Sequence, residues 1–74
     1  MPKLYSARVV LTTLQKAGFV IISQKGSHIK LNKKIASKIL IVIVPNHKEI
    51  AQGTFASILK QANLARNEFE KFLK

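Results

Sequence analysis

The sequence predicts an α+β fold in which one helix is followed by three antiparallel strands, a second helix and a short terminal helix. Three observations predict it: apolar residues recur at helical spacing near both ends, β-branched runs fill the middle, and short polar links separate those runs. Helices with one apolar stripe and a sheet with one apolar face bury these surfaces against each other. We therefore expect the helices to cover one sheet face and leave the other open. At 74 residues there is room for one modest core, so residues 1–74 are predicted to form a single domain.

The first helix is predicted from Ser6 to Ala17. Serine is a residue type that caps helix N-termini, and Gly18 can adopt the left-handed conformation in which many helices end. One helical stripe holds the apolar positions that should face the sheet, namely Val9, Val10, Leu14 and Ala17, with Thr13 between them.

The three strands are predicted at Phe19 to Ser23, His28 to Asn32 and Ile39 to Val44. The polar segment 24–27 contains a glycine and should connect the first two strands. The third strand is apolar on both faces and should stop before Pro45, which cannot donate to a strand ladder. Three short strands with short links are most simply an antiparallel meander.

The links and the C-terminal half have weaker patterns. Lys33 and Lys34 are assigned to a basic link after the second strand, and Asn46 to Gly53 to an ordered loop. Helical spacing returns from about Thr54 to Ala62, with Asn63 as a left-handed terminator. A last short helix is predicted from about Ala65 to Leu73.

Charge is the strongest signal in the composition. Thirteen Lys and Arg residues against three acidic residues give a net charge of +10, which favours nucleic acid, an acidic protein or an anionic membrane surface as partner. The chain has no cysteine, which excludes disulfides and thiolate metal sites. Its longest apolar run has the length of a strand rather than of a membrane span. No targeting segment is recognised, so we expect a cytoplasmic protein with no membrane association.

The segment from Lys25 to Asn32 contains most of the candidate chemistry. It is a basic turn followed by a strand in which alternate side chains point to opposite faces. Ile29 and Leu31 belong on the covered face, so His28 and Lys30 should share the open face.

The chain resembles the HicA toxin family, small endoribonucleases of bacterial type II toxin-antitoxin pairs with a fold like the double-stranded-RNA-binding domain, α-β-β-β-α. The resemblance spans nearly the whole chain, and it lies in the order and spacing of these segments: Lys16-Ala17-Gly18-Phe19, Gln24-Lys25-Gly26-Ser27-His28, Val44-Pro45, His47-Lys48-Glu49-Ile50, Gly53-Thr54 and Ile58-Leu59-Lys60-Gln61-Ala62. It implies that His28 is catalytic, that messenger RNA is the substrate, and that a HicB-like antitoxin covers the active site.

The sequence departs from the family pattern at several positions. Ile29 stands where a second histidine or another polar residue often follows the catalytic one. This departure leaves His28 with fewer neighbours to share proton transfer. The other departures, at Ile43, Asn63 and Ala65, concern the surface and helix ends more than the chemistry.

Cleavage of RNA without a metal needs proton transfer and stabilisation of phosphorane charge. Histidine suits the first task because its ordinary pKa is about 6.5, and lysines suit the second. We expect His28 to act as general acid or base and Lys25 and Lys30 to hold the scissile phosphate. Gly26 should let the RNA backbone approach, and Ser27 should orient the imidazole or donate to a phosphate oxygen.

The wider RNA footprint is predicted to include Lys33 and Lys34. His47 is either a second functional histidine or a loop residue that caps backbone groups, and the sequence leaves both readings open. Two histidines, three dispersed glutamates and no cysteine do not supply a metal site, so neither a metal nor another cofactor is expected.

Two alternatives remain open at this point. The first is a non-catalytic module that binds double-stranded RNA through phosphates and 2'-hydroxyls. The second is a basic interaction protein with no role in nucleic-acid binding. His28 favours the enzyme, because a duplex binder needs lysines but has no evident need for a histidine beside a glycine turn.

Overall fold

The computed structural model describes residues 3–73, so Met1, Pro2 and Lys74, which we assigned to the same domain, lie outside the described residues. The order of elements is α-β-β-β-α-α, and the three strands form one antiparallel sheet in the order β1-β2-β3. The predicted α+β fold, with its three-stranded meander and short terminal helix, is confirmed. The elements are α1 (Ala7–Lys16), β1 (Val20–Lys25), β2 (His28–Ile35), β3 (Lys38–Pro45), α2 (Gln52–Ala62) and α3 (Arg66–Leu73).

The first helix begins and ends as its sequence predicts. The Ser6 hydroxyl accepts a hydrogen bond from the Val9 N–H, which is the expected N-cap. At the other end Gly18 has a φ of +105°, and the N–H groups of Gly18 and Phe19 donate to the carbonyls of Gln15 and Leu14. These two bonds form a Schellman motif. Because the motif uses the Phe19 N–H, β1 begins one residue later than predicted.

The first hairpin is tighter than predicted. We assigned residues 24–27 to the connection, but β1 continues to Lys25, which pairs directly with His28. The turn is only Gly26 and Ser27, and Gly26 has a φ of +59°. Glycine adopts this conformation without steric cost, so the chain reverses in two residues.

The second hairpin corrects the predicted link. β2 continues through Lys33 and Lys34 to Ile35, which pairs with Lys38. Lysine is a weak strand former, but pairing with the apolar β3 overrides local propensity. β3 includes Pro45, which pairs with His28 at the end of the sheet, where proline is tolerated.

Ala36 makes the second turn with a φ of +54°, a conformation that costs a residue with a Cβ about 1–2 kcal/mol. We expect Ala36→Gly to raise the free energy of unfolding by about 0.5–1 kcal/mol, because glycine removes this cost and loses part of the gain as extra chain entropy. Urea denaturation measures the change. Ser37→Gly is the control, since the φ of Ser37 is not in the left-handed region, and it should not stabilise. A loss of stability in Ala36→Gly would contradict the prediction.

The core lies between the helices and one face of the sheet. Ile29 and Leu31 of β2 and Val42 and Val44 of β3 are buried, whereas alternate residues of the same strands lie on the opposite face. The largest helical contributions are Val10 and Leu14 from α1, Phe55, Ile58 and Leu59 from α2, and Phe69 from α3. Phe19 and Ile50, which lie between these elements, are buried as well. The helices therefore leave one sheet face open, as predicted.

The second helix starts earlier than expected and ends where expected. It begins at Gln52 rather than near Thr54, and Ala51 at its N-cap position offers no side-chain hydrogen bond. Asn63 ends it with a φ of +56°. In α3, the Glu68 carboxylate accepts the Ala65 N–H at 2.8 Å, which is half of a capping box.

Candidate active site on the open face of the sheet

The candidate site begins with a row of three residues across the end of the sheet. His28 pairs with Lys25 on one side and with Pro45 on the other. Residues directly opposite in an antiparallel pair point to the same face, with Cβ atoms about 5 Å apart. His28 and Lys25 are both exposed, so an imidazole and an ammonium group stand side by side on the open face.

The next row along the sheet adds a second lysine. Lys30 pairs with Ser23 of β1 and with Ile43 of β3, and it points to the same face as His28 because side chains of a strand alternate. Lys34 lies further along this face, opposite Ile39. The open face of β2 therefore presents one histidine and two lysines, a combination that attracts phosphate groups.

The Gly26–Ser27 turn borders the first row. A Cβ built on Gly26 would meet no heavy atom within 4 Å, so the space above this residue is open to a ligand. The Ser27 carbonyl accepts a hydrogen bond from the Asn46 N–H, with an N to O distance of 2.6 Å. This bond ties the turn to the segment after β3 and holds the end of the sheet in place.

Comparison with protein families decides what kind of protein this is. The family model described as HicA toxin of bacterial toxin-antitoxin matches residues 7–64 of the 74-residue chain. The chain belongs to this family. It is therefore a toxin of a toxin-antitoxin system, and membership implies a cognate antitoxin as partner. A comparison with curated proteins finds no match.

The fold places Lys33 of this HicA-family toxin away from the candidate site. Odd-numbered residues of β2 point toward the helices, and the Lys33 ammonium donates to the Ala17 carbonyl at 2.7 Å. The same ammonium lies 5.8 Å from the centre of the Phe19 ring. Lys33 thus caps the C-terminal end of α1, where a cation is favourable. The assignment of Lys33 to a link is corrected, because it lies in β2 and points to the covered face, away from the other lysines predicted to bind RNA.

Lys33 and Lys34 form a matched pair, since they are neighbours that point to opposite faces. We expect Lys33→Met to lower the free energy of unfolding by about 1 kcal/mol, through loss of the bond to Ala17, and to leave RNA affinity unchanged. Lys34→Met should leave the free energy of unfolding unchanged. It should weaken RNA binding by about threefold, through loss of a phosphate contact. Urea denaturation and fluorescence anisotropy with labelled RNA measure the two effects. Equal effects of both variants on RNA affinity would contradict this division.

His47 lies beyond the end of β3 and on the side of α1. Its backbone carbonyl accepts the Ala7 N–H at 2.9 Å, which caps the first turn of α1. Its side chain is exposed and lines a groove with Arg8 and Lys48. The backbone of His47 therefore has a structural role, and its ring lines the same groove as the cationic side chains of Arg8 and Lys48.

The described residues offer few side chains that could bind a metal ion together. Within residues 3–73 no three side chains among His, Cys, Asp and Glu come together in a group that could hold a metal ion. Nor does any helix in that range have the length and apolar content to cross a membrane.

Sequence reasoning missed most of an apolar row on the open face. Ile39 and Ile41 are 56% and 40% exposed, and Ile43 follows them on the same face of β3. A strand that is apolar on both faces suggests burial on both sides, which conceals a row that faces outward. The outward direction of this row could have been predicted from the alternation of side chains along a strand, which puts these three residues opposite the open-face residues of β2.

Proposed function

We propose that this toxin is a metal-independent endoribonuclease that cuts messenger RNA on the open face of its sheet, with His28 as general acid or base. The observation that carries the proposal is the first row of the site. An exposed histidine stands directly opposite Lys25 and one pleat from Lys30, at the end of the sheet where the turn leaves room for a ligand. Messenger RNA as substrate also implies action in the cytoplasm.

The chemistry follows from the residue types. The 2'-hydroxyl of the RNA loses its proton and attacks the adjacent phosphorus, and the bond from phosphorus to the 5'-oxygen breaks as that oxygen gains a proton. His28 serves one of the two proton transfers. Ile29 is buried in the core, so the position after His28 does not supply the group for the other transfer.

The lysines supply electrostatic stabilisation. Lys25 and Lys30 flank His28 on the open face, where they offset the negative charge that grows on the phosphorane oxygens. Lys34 extends this positive surface along β2 and contacts a neighbouring phosphate. Gly26 gives the RNA backbone room to approach, and the Ser27 hydroxyl donates to a phosphate oxygen.

The test is incubation of purified protein with a mixture of single-stranded and hairpin RNA in the presence of a chelator. We expect cleavage that the chelator does not reduce. Binding without cleavage would favour the duplex-binding module, and RNA affinity that does not fall as salt rises would contradict a phosphate footprint altogether.

We further propose that a HicB-like antitoxin covers the open face and docks on the row of Ile39, Ile41 and Ile43. The toxin carries a net charge of +10, which disfavours a second copy and favours an acidic partner. An apolar row beside lysines fits a partner surface with apolar anchors and an acidic rim.

The free edge of β3 defines how far such a partner can extend the sheet. The Ile43 N–H points away from β2 and donates to the Gln61 side chain at 3.0 Å. By the alternation of antiparallel ladders, the N–H groups of Ile39 and Ile41 point to the same edge. Pro45 has no N–H, so strand addition along β3 is open only at the end far from His28.

A matched pair of isoleucines tests this docking surface. Ile41 on the open face and Ile21 on β1 are 40% and 41% exposed. We expect Ile41→Ala to weaken binding of the cognate antitoxin by about tenfold and Ile21→Ala to leave it unchanged. Equal losses would rule out this surface as the specific contact.

A further inference from the structure

A groove lined by polar and charged residues lies beside the proposed active site, at the start of α1. It is open, has a volume of about 460 Å³, and is lined by Ser6, Arg8, Asn46, His47 and Lys48. None of these side chains is apolar, and three are cationic or can become so. No acidic residue stands in the first turn of α1, where it would compete with a bound anion.

The backbone around the groove is held by two hydrogen bonds between the segments that form it. The Ala7 N–H donates to the His47 carbonyl at 2.9 Å, and the Ile50 N–H donates to the Tyr5 carbonyl at 2.8 Å. These bonds keep the segment after β3 against the N-terminal segment. The cationic side chains are therefore presented by an ordered backbone, which lowers the cost of ordering them around a ligand.

The groove adjoins the turn next to the site of the proposed reaction. Asn46, which lines it, donates its backbone N–H to the Ser27 carbonyl at 2.6 Å, and Ser27 precedes His28. A polymer that leaves the open face over this turn passes the backbone link between Ser27 and the groove residue Asn46.

We propose that this groove binds a backbone phosphate of the RNA segment that flanks the cleaved bond. This inference rests on the proposed function, because the RNA is placed by the site at His28. Arg8 supplies a planar fork of N–H donors that matches phosphate oxygens. Lys48 adds a point charge, the His47 ring offers a hydrogen-bond donor, and the positive end of the α1 dipole lies at the same place.

The residue types favour RNA over an acidic protein segment as occupant. Protein partners dock through apolar or aromatic anchors, and the groove has none. Such anchors are offered instead by the isoleucine row on the open face. His47 is thereby assigned to binding of a flanking phosphate rather than to proton transfer at the cleaved bond.

Binding measured without cleavage tests the proposal. Single-stranded RNA of about 12 nucleotides is titrated into His28→Ala protein, with and without Arg8→Gln or Lys48→Gln, over a series of salt concentrations. We expect each added substitution to weaken binding by about three- to tenfold and to reduce the slope of log affinity against log salt by about 0.7. Lys60→Gln is the control, since Lys60 is an exposed lysine on α2 outside the groove, and it should change neither quantity by as much.

The outcomes separate this inference from the proposed function. If Arg8→Gln and Lys48→Gln behave like Lys60→Gln, the groove is not a phosphate site, whatever the wild type cleaves. If they weaken antitoxin binding and leave RNA affinity unchanged, the occupant is protein and the proposal is overturned. If wild-type protein binds RNA in the groove but cuts nothing, the groove stands and the endoribonuclease assignment fails.

Discussion

His28→Ala is expected to lower the rate of RNA cleavage by at least about 100-fold, because general acid-base catalysis by one side chain typically contributes that much or more. RNA affinity should change by less than about threefold, since the neighbouring lysines that contact phosphate remain. His28 is exposed on the open face, so its removal leaves the core intact. Single-turnover cleavage and anisotropy titration measure the two quantities separately.

Asn32→Ala is the matched control for this prediction. Asn32 lies on the same face of the same strand and pairs with Val20 and Ile41, so its substitution tests for general disturbance of the sheet. Cleavage by this variant should stay close to that of the wild type. An equal loss of cleavage in both variants would show that His28 has no special role.

The largest effect on stability is expected from Phe69→Ala. Phe69 is 0% exposed and packs against two other rings, with centroid distances of 4.9 Å to Phe55 and 5.5 Å to Tyr5. Truncation leaves a cavity and removes these contacts, which costs about 3–5 kcal/mol for a buried phenylalanine. Small domains have unfolding free energies of about 5–15 kcal/mol, so urea denaturation should show a large shift of the midpoint.

Phe72 provides the comparison on the same helix. It is only partly buried against the core, so Phe72→Ala should cost less than half as much as Phe69→Ala. The two substitutions each remove a phenyl ring from α3, and the two residues differ mainly in how deeply the ring is buried. If both cost the same, the aromatic cluster is not what holds α3 in place.

The helix limits marked by a cap residue could be predicted because the signals are local, whereas the start of α2, which has no side-chain cap, could not. Ser6, Gly18 and Asn63 occupy the cap positions assigned from their residue types. Strand limits were less accurate because pairing partners decide them. Lys33 and Lys34 are drawn into β2 by the apolar partners Leu40 and Ile39, which no local propensity indicates.

The candidate site also combines features that the sequence predicts locally with features that depend on tertiary contacts. Period 2 and the apolar stripe of the helices suffice to place His28 and Lys30 on the open face. The hydrogen bond from Lys33 to the Ala17 carbonyl joins residues 16 positions apart. The groove that contains Arg8 joins the start of α1 to the segment after β3. Such contacts depend on tertiary packing and leave no mark in the sequence.

The most direct test of the account is the chemistry of the cleaved ends. If the 2'-hydroxyl attacks the phosphorus with His28 as acid or base, RNA cut in the presence of a chelator must carry 2',3'-cyclic phosphate and 5'-hydroxyl ends. RNA with a single deoxynucleotide on the 5' side of the cleaved bond must resist cutting there. Ends with 3'-hydroxyl and 5'-phosphate groups, or cleavage at the deoxynucleotide, would contradict the mechanism.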